Sequence, residues 1–190
     1  MGAPNPGLYS SATDEWPTPA PLFAALDAEF GFELDVCASP SNAKCARFWT
    51  RDDDGLRQPW SPGPAWMNPP YGTEIGKWVA KARRESARGA VVVCLLPART
   101  DTAWWHQDVM PGAAQIRFIC GRLSFGGGLQ DAAKARSGAH NAPFPSVIVV
   151  FAPGSSGAPR CSSITRDGRP VPAEAPALFG RQYEAEREAS

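Results

Sequence analysis

Apolar and polar positions along the chain follow helical and strand spacings in turn. The first helix is predicted to begin at Pro19, which suits the first helical position, with Thr18 as a typical N-cap. Apolar side chains at helical spacing continue to Phe30, and Gly31 ends the helix. A second, amphipathic helix is predicted over residues 75–88, and a third runs through residue 110. These helices alternate with short apolar runs.

The apolar runs predict the strands of an α/β fold with a mainly parallel sheet. The continuous run at residues 90–96 is typical of a central parallel strand, because such strands are buried on both faces. We expect residues 32–37 and 65–67 to be its neighbours in the sheet. Further strands are predicted at residues 115–120 and 146–151, with a short one at residues 47–50.

Length and composition predict one main domain. A chain of 190 residues with 43% hydrophobic residues can bury a sizeable core. We predict a loose leader at residues 1–13, the domain at residues 14–152 and a polar, irregular tail at residues 153–190. The five cysteines include no CxxC pair, which argues against a disulfide framework and a metal site. No apolar run can span a bilayer, so we expect a cytoplasmic protein without a membrane partner. The oligomeric state stays open, a monomer included.

Charge is unevenly distributed although the net charge is zero. Residues 1–75 hold ten acidic and four basic side chains, whereas residues 76–170 hold five acidic and thirteen basic ones. A basic half is typical of proteins that bind nucleic acid, and an acidic half suits a cationic small molecule. A solvated charged face would give the same asymmetry.

The segment Asn68-Pro69-Pro70-Tyr71 carries the chemistry of the chain. Its two prolines stiffen the backbone just after an apolar run. The Asn68 side-chain oxygen and the Pro69 carbonyl can accept both hydrogens of a planar amine, while the Tyr71 ring stacks on the face of a base. The alternative is a proline-rich turn in which Tyr71 only packs.

Asn-Pro-Pro-Tyr resembles the (D/N)PPY signature of amino-methyltransferases. The ordered series DEWPTP, LDVCA, DGL, WMNPPYG, LLPARTDTAWW, GRLSF and PFPSVIVVF is similar to the small phage-type DNA adenine methyltransferases, the Dam-like family, from Asp14 to Phe151. This resemblance implies a reduced Rossmann-like fold that uses S-adenosylmethionine, DNA as the partner, and a site in the cytoplasm of the host cell if a phage encodes the protein. It implies a catalytic segment made of Asn68, Pro69, Pro70 and Tyr71. The resemblance is consistent with a role in restriction-modification and equally with a role in regulation.

Five residues are expected to bind the cofactor: Thr18, Pro19, Asp35, Ala38 and Asp54. Asp35 ends a predicted strand, where open α/β sheets place ligand-binding groups. The other assignments follow from the resemblance, in which Thr18-Pro19 closes over the methionine end and LDVCA replaces the usual glycine-rich motif. No GxGxxG occurs in the chain. The alternatives are a simple helix start at Thr18, a turn at Asp35 and a solvated turn at residues 52–54.

The glycine- and base-rich segment at residues 121–145 is the expected DNA contact, through Arg122, Lys134 and Arg136. Trp105 lines the pocket of the target base or packs in the core. Methylation of an RNA base or of a protein glutamine is the alternative activity, since both also fit Asn-Pro-Pro-Tyr. A DNA-binding protein that has lost catalysis is the alternative from another class.

Overall fold

The structure, a computed structural model, describes residues 17–61, 63–124 and 142–172. The helices are α1 (Ala20–Phe30), α2 (Ile75–Ala87) and α3 (Met110–Gly112), with a π-helical turn at Trp105–Val109 that leads into α3. The strands are β1 (Leu34–Asp35), β2 (Arg47–Phe48), β3 (Ala65–Met67), β4 (Val92–Pro97), β5 (Gln115–Ile119), β6 (Ser146–Phe151) and β7 (Arg160–Ile164).

The strands form one seven-stranded sheet in the order β2-β1-β3-β4-β6-β5-β7. Strand β6 is antiparallel to both of its neighbours, and every other adjacent pair is parallel. In register, Asp35 of β1 pairs with Trp66 of β3, which pairs with Val93 of β4. The predicted α/β class, the mainly parallel sheet and the three neighbouring strands are therefore confirmed. Strand β1 is shorter than the predicted strand at residues 32–37.

The first helix begins one residue later than predicted. Pro19 is the N-cap of α1, with φ −58° and ψ 130°, and the helix start makes no side-chain capping hydrogen bond. The prediction of Thr18 as N-cap is wrong, because its hydroxyl accepts a hydrogen bond from the Asn68 side chain and not from the start of the helix. The predicted end is confirmed: Gly31 takes the left-handed conformation, with φ 64°, and donates its N–H to the Asp27 carbonyl.

Helix α2 matches its prediction, with Val79 and Ala82 fully buried against the sheet. Lys81 of this helix is only 6% exposed, although a lysine on an amphipathic helix usually lies at the surface. Its ammonium group donates to the Glu85 carboxylate at 3.0 Å, one turn further along the helix. The apolar spacing of the helix cannot distinguish a surface lysine from one that is buried with a partner.

The third predicted helix is mostly a π-helical turn. In an α-helix the Gln107 carbonyl would accept the N–H of residue 111, but residue 111 is proline and has no N–H. The Arg83 guanidinium donates to that carbonyl instead, at 2.7 Å. The Met110 N–H bonds the Trp105 carbonyl five residues back. Proline chemistry and the arginine on α2 thus explain why the regular helix is lost.

Strand β7 corrects the expectation of an irregular chain after residue 153. It adds to the edge of the sheet, parallel to β5, with Ile164 paired to Ile119. The chain then turns back onto α1, where a side chain at Gly168 would lie 2.7 Å from the Ala25 Cβ. Residues 1–16 and 173–190 lie outside the described residues, so the predicted leader and the end of the tail stay predictions.

The core lies on both faces of β4 and β6, whose residues are all buried. Phe23 of α1 packs edge-on against Trp66, with ring centres 5.5 Å apart. In the described part of the chain, no helix is long and apolar enough to cross a membrane.

Candidate functional site

A cavity of about 630 Å³ opens at the carboxyl ends of β1 and β3. This volume lies within the usual range for small-molecule and cofactor sites. The wall includes seven of the predicted site residues: Thr18, Asp35, Ala38, Asp54, Asn68, Pro69 and Pro70. Parallel strands bring their carboxyl ends to one edge of a sheet, so residues far apart in sequence meet here. Pro19, Tyr71 and Trp105 are not part of the wall.

Asp35 is the buried anion of the cavity, and it is 3% exposed. Its carboxylate accepts hydrogen bonds from the backbone N–H groups of Lys44, at 3.1 Å, and Cys37, at 3.4 Å. Burial raises the pKa of the Asp35 carboxyl to about 6, although these two hydrogen bonds and the Lys44 charge act to lower it. Asp35 is therefore mostly ionised at pH 7, and a nearby cation would favour the ionised form further.

The turn after β2 supplies Asp54 and fixes its place at the rim. Asp54 adopts the left-handed conformation, with φ 52°. The next residue, Gly55, is buried so closely that a side chain there would come within 2.2 Å of the Val36 carbonyl oxygen. Asp53 is used differently, because its carboxylate caps the turn by accepting the Thr50 N–H and hydroxyl. These hydrogen bonds from Thr50 lower the pKa of Asp53.

An aromatic wall closes the cavity beside this turn. Trp78 of α2 lines the cavity and stacks on Trp60, with ring centres 6.1 Å apart and planes 19° apart. The Trp60 indole N–H donates to the Gly55 carbonyl at 2.8 Å. Trp78 is not among the predicted site residues, although it lies on the predicted helix over residues 75–88. Its helical spacing suits the core as well as a ligand wall, so the sequence carries no signal that separates the two.

The Asn68 amide is held from two sides. Its Nδ2 donates to the Thr18 hydroxyl at 3.0 Å, and its Oδ1 accepts the Tyr71 hydroxyl at 2.8 Å. The Tyr71 oxygen also lies 3.2 Å from the Leu95 carbonyl. Thr18 is 6% exposed and Tyr71 4% exposed.

Tyr71 packs in the core of this structure, with its ring edge-on to Phe144 at 5.5 Å. Burial raises the pKa of its phenol well above the ordinary value, so the hydroxyl keeps its proton. The predicted stacking of Tyr71 on a base stays a prediction. Trp105 is 4% exposed and packs against Trp104, which agrees with the core alternative.

Two cationic residues of the wall, Lys44 and Arg51, were missed by the sequence analysis. Both lie in turns between short strands, where a lysine or an arginine usually means no more than solvation. With these two residues and the carboxylates of Asp35 and Asp54, the cavity wall contains both positively and negatively charged side chains. The described residues contain no cluster of three or more histidine, cysteine or acidic side chains that could hold a metal.

The predicted DNA contacts lie only partly within the described chain. Arg122 is exposed and follows the carboxyl end of β5, away from the cavity wall. It neighbours the turn after β7, since a side chain at Gly121 would lie 3.6 Å from the Arg166 Cδ. Lys134 and Arg136 lie outside the described residues, so their role stays a prediction.

Comparison with known proteins gives one family. The DNA N-6-adenine-methyltransferase (Dam) family pattern matches residues 7–169, which include β7. A DNA N-6-adenine-methyltransferase of Escherichia phage T1 is 32% identical over 108 residues, 56% of this chain and 44% of the phage protein. The chain thus matches less than half of that relative's length. YfdM of Escherichia coli (strain K12), whose name proposes a methyltransferase, is 40% identical over 65 residues, 30% of this chain and 71% of the relative.

Proposed function

The chain belongs to the DNA N-6-adenine-methyltransferase family, and we propose that it moves a methyl group from S-adenosylmethionine to the exocyclic amine of adenine in DNA, at a specific sequence. The observation that supports this most is the meeting of Asp35 and Asn68 on one cavity wall. Asp35 is suited to binding a cationic methyl donor, and Asn68 is suited to binding the amine that accepts the methyl group. The two functions need adjacent places, because the transferred group passes directly between them.

The groups around the cavity fit the proposed donor. Asp35 and Asp54 offer oxygen acceptors for amino and hydroxyl groups, Lys44 offers positive charge for a carboxylate, and Trp78 offers an apolar face for a purine. With S-adenosylmethionine held by Asp35, Asp54 and Trp78, its sulfonium would supply an electrophilic methyl group. The sulfur would keep the bonding electron pair as a neutral thioether, and the proton lost from the amine nitrogen would pass to solvent. The protein contributes orientation and a low-dielectric wall.

Asn68 and Pro69 carry the acceptor side of the proposal. The amine of adenine is a poor nucleophile because its lone pair is conjugated with the ring. When the Asn68 Oδ1 and the Pro69 carbonyl both accept its hydrogens, a pyramidal amine nitrogen is favoured. Its lone pair is then no longer conjugated with the ring and can point at the methyl group. The Asn68 oxygen can do this while it accepts the Tyr71 hydroxyl, because a carbonyl oxygen has two lone pairs. A base in duplex DNA must first be flipped out, at a cost of a few kcal/mol.

The test is incubation with tritiated S-adenosylmethionine and unmethylated DNA, RNA or protein, followed by analysis of the labelled products. We expect label in N6-methyladenine of DNA, at a rate about 10²–10³ lower with the Asn68→Ala variant. Label in RNA or in glutamine would replace the proposed acceptor. Binding of the cofactor without any transfer would favour a DNA-binding protein that has lost catalysis.

A further inference from the structure

Thr18 lies at the cavity wall but bonds another protein side chain. Its hydroxyl oxygen accepts the Asn68 Nδ2–H at 3.0 Å, across 50 residues of sequence. We propose that Thr18 is a positioning residue, which holds the Asn68 amide so that its oxygen faces the adenine amine. This inference rests on the proposed function and goes beyond the cofactor contact that the resemblance implies for Thr18.

The hydrogen bond from Asn68 Nδ2 to Thr18 prevents the amide from rotating so that Nδ2 and Oδ1 exchange places. Rotation of the side chain would bring the Nδ2 donors toward the amine, which is itself a donor, and the acceptor would be lost. Thr18 keeps Nδ2 engaged, while the Tyr71 hydroxyl contacts Oδ1 from the other side. Thr18 and Tyr71 are buried and Asn68 is partly buried, so the loss of either partner would leave a shielded polar group without its hydrogen bond.

The backbone that carries Thr18 is itself held firmly. Helix α1 begins two residues later, and the Phe23 N–H bonds the Pro19 carbonyl. Near the other end of the helix, Glu29 forms two hydrogen bonds of 2.6 Å with Arg117 of β5. A paired arginine and glutamate in this two-pronged geometry give the contact a defined orientation. Thr18 is thus a fixed support for the amide, and the sheet fixes Thr18 through α1.

The variants Thr18→Val and Thr18→Ser separate positioning from cofactor binding. Valine keeps the shape of threonine but removes the oxygen, whereas serine keeps the oxygen. We expect Thr18→Val to lower the single-turnover transfer rate, at saturating DNA and cofactor, roughly 5- to 100-fold, as the loss of one buried partner predicts. The cofactor Kd from calorimetry should change less than about twofold, and Thr18→Ser should stay near the wild-type rate. Ser86→Ala, which removes a buried hydroxyl that donates to the Arg83 carbonyl at 2.9 Å, is the matched control.

Two further measurements complete the test. In the Asn68→Ala background, Thr18→Val should cause no additional loss, since the two residues act as one unit. In nitrogen-15 spectra of the protein without ligands, the Asn68 side-chain amide signals should shift and exchange faster with water in Thr18→Val but not in Ser86→Ala. A weaker cofactor Kd at an unchanged rate, an additive double variant, or unchanged amide signals would each overturn the proposal. Because the spectra need no activity, an inactive wild-type protein would refute the function and leave this test intact.

Discussion

The buried carboxylate of Glu85 gives the sharpest stability prediction. Glu85 is 2% exposed, and its carboxylate accepts three hydrogen bonds. Two come from the Lys81 ammonium and the Arg88 guanidinium, each at 3.0 Å, and the third comes from the backbone N–H of Trp60 at 3.3 Å. The change Glu85→Gln keeps the shape and one acceptor but removes the charge. It leaves the Lys81 ammonium, which is 6% exposed and lies 5.1 Å from the centre of the Trp60 ring, without a counter-charge.

The size of the loss follows from this burial. Breaking one side of a buried ion pair typically costs about 3–5 kcal/mol of unfolding free energy, because the remaining charge is uncompensated. For a protein of this size that corresponds to a fall in Tm of roughly 6–20 °C. The control is Arg88→Ala, since the Arg88 side chain is 68% exposed and its contact is worth only about 0–1 kcal/mol. The double variant Lys81→Met/Glu85→Gln should recover most of the loss, because no buried charge remains.

Urea unfolding at pH 7 measures these differences, with an unchanged m-value as the sign that the unfolded state is not altered. Burial acts to raise the pKa of Glu85, but the hydrogen bonds and charges of its partners outweigh it and hold the pKa below its ordinary value. A lowered pKa means that this stabilisation is present above the unfolded pKa and is lost as the pH falls through the folded one. A loss no larger than that of Arg88→Ala, or a double variant as unstable as Glu85→Gln, would show that the pair is not buried in solution.

Three predictions concern activity. Asn68→Ala should lower transfer by about 10²–10³ while calorimetry shows cofactor affinity within a few-fold; lost affinity would move Asn68 into the donor site. Cofactor affinity should fall as the pH drops through about 6, where Asp35 becomes protonated, and Asp35→Asn should bind weakly without this dependence; a wild-type-like profile would remove Asp35 from the pocket. Neutralising Arg122, Lys134 and Arg136 together should lower the slope of log DNA affinity against log salt by roughly 0.9 per lost phosphate contact; an unchanged slope would exclude them.

The sequence predicted the centre of the fold well, and it predicted that Asp35 and Asn68 lie at one edge of the sheet. Residues 65–67 form an apolar run, and residues 75–87 have apolar side chains at helical spacing, so β3 and α2 appear as expected. Asp35 lies at the carboxyl end of one predicted strand and Asn68 follows another. Parallel strands share one carboxyl edge, which made the meeting of the two residues predictable. Such predictions depend only on local spacing and on a rule of topology.

The features that sequence could not give depend on tertiary partners. Strand β7 has three polar or weakly apolar residues in its middle, and it exists because β5 offers an open edge. The buried Lys81 depends on Glu85 and on the Trp60 ring, and the hydroxyl of Thr18 depends on Asn68. Local propensity contains no information about these distant contacts.

The closure of the chain onto α1 has a consequence for the order in which the protein matures. Two of the contacts of α1 come from late in the chain: Arg117 lies 88 residues after Glu29, and Gly168 packs on Ala25 near the opposite end of the described chain. During synthesis, Asn68 and Asp35 leave the ribosome long before these supports do. Contacts so distant in sequence form slowly. The helix that carries Thr18, the hydrogen-bond partner of Asn68, is therefore completed late, so a nascent or truncated chain that ends before residue 160 is expected to be inactive.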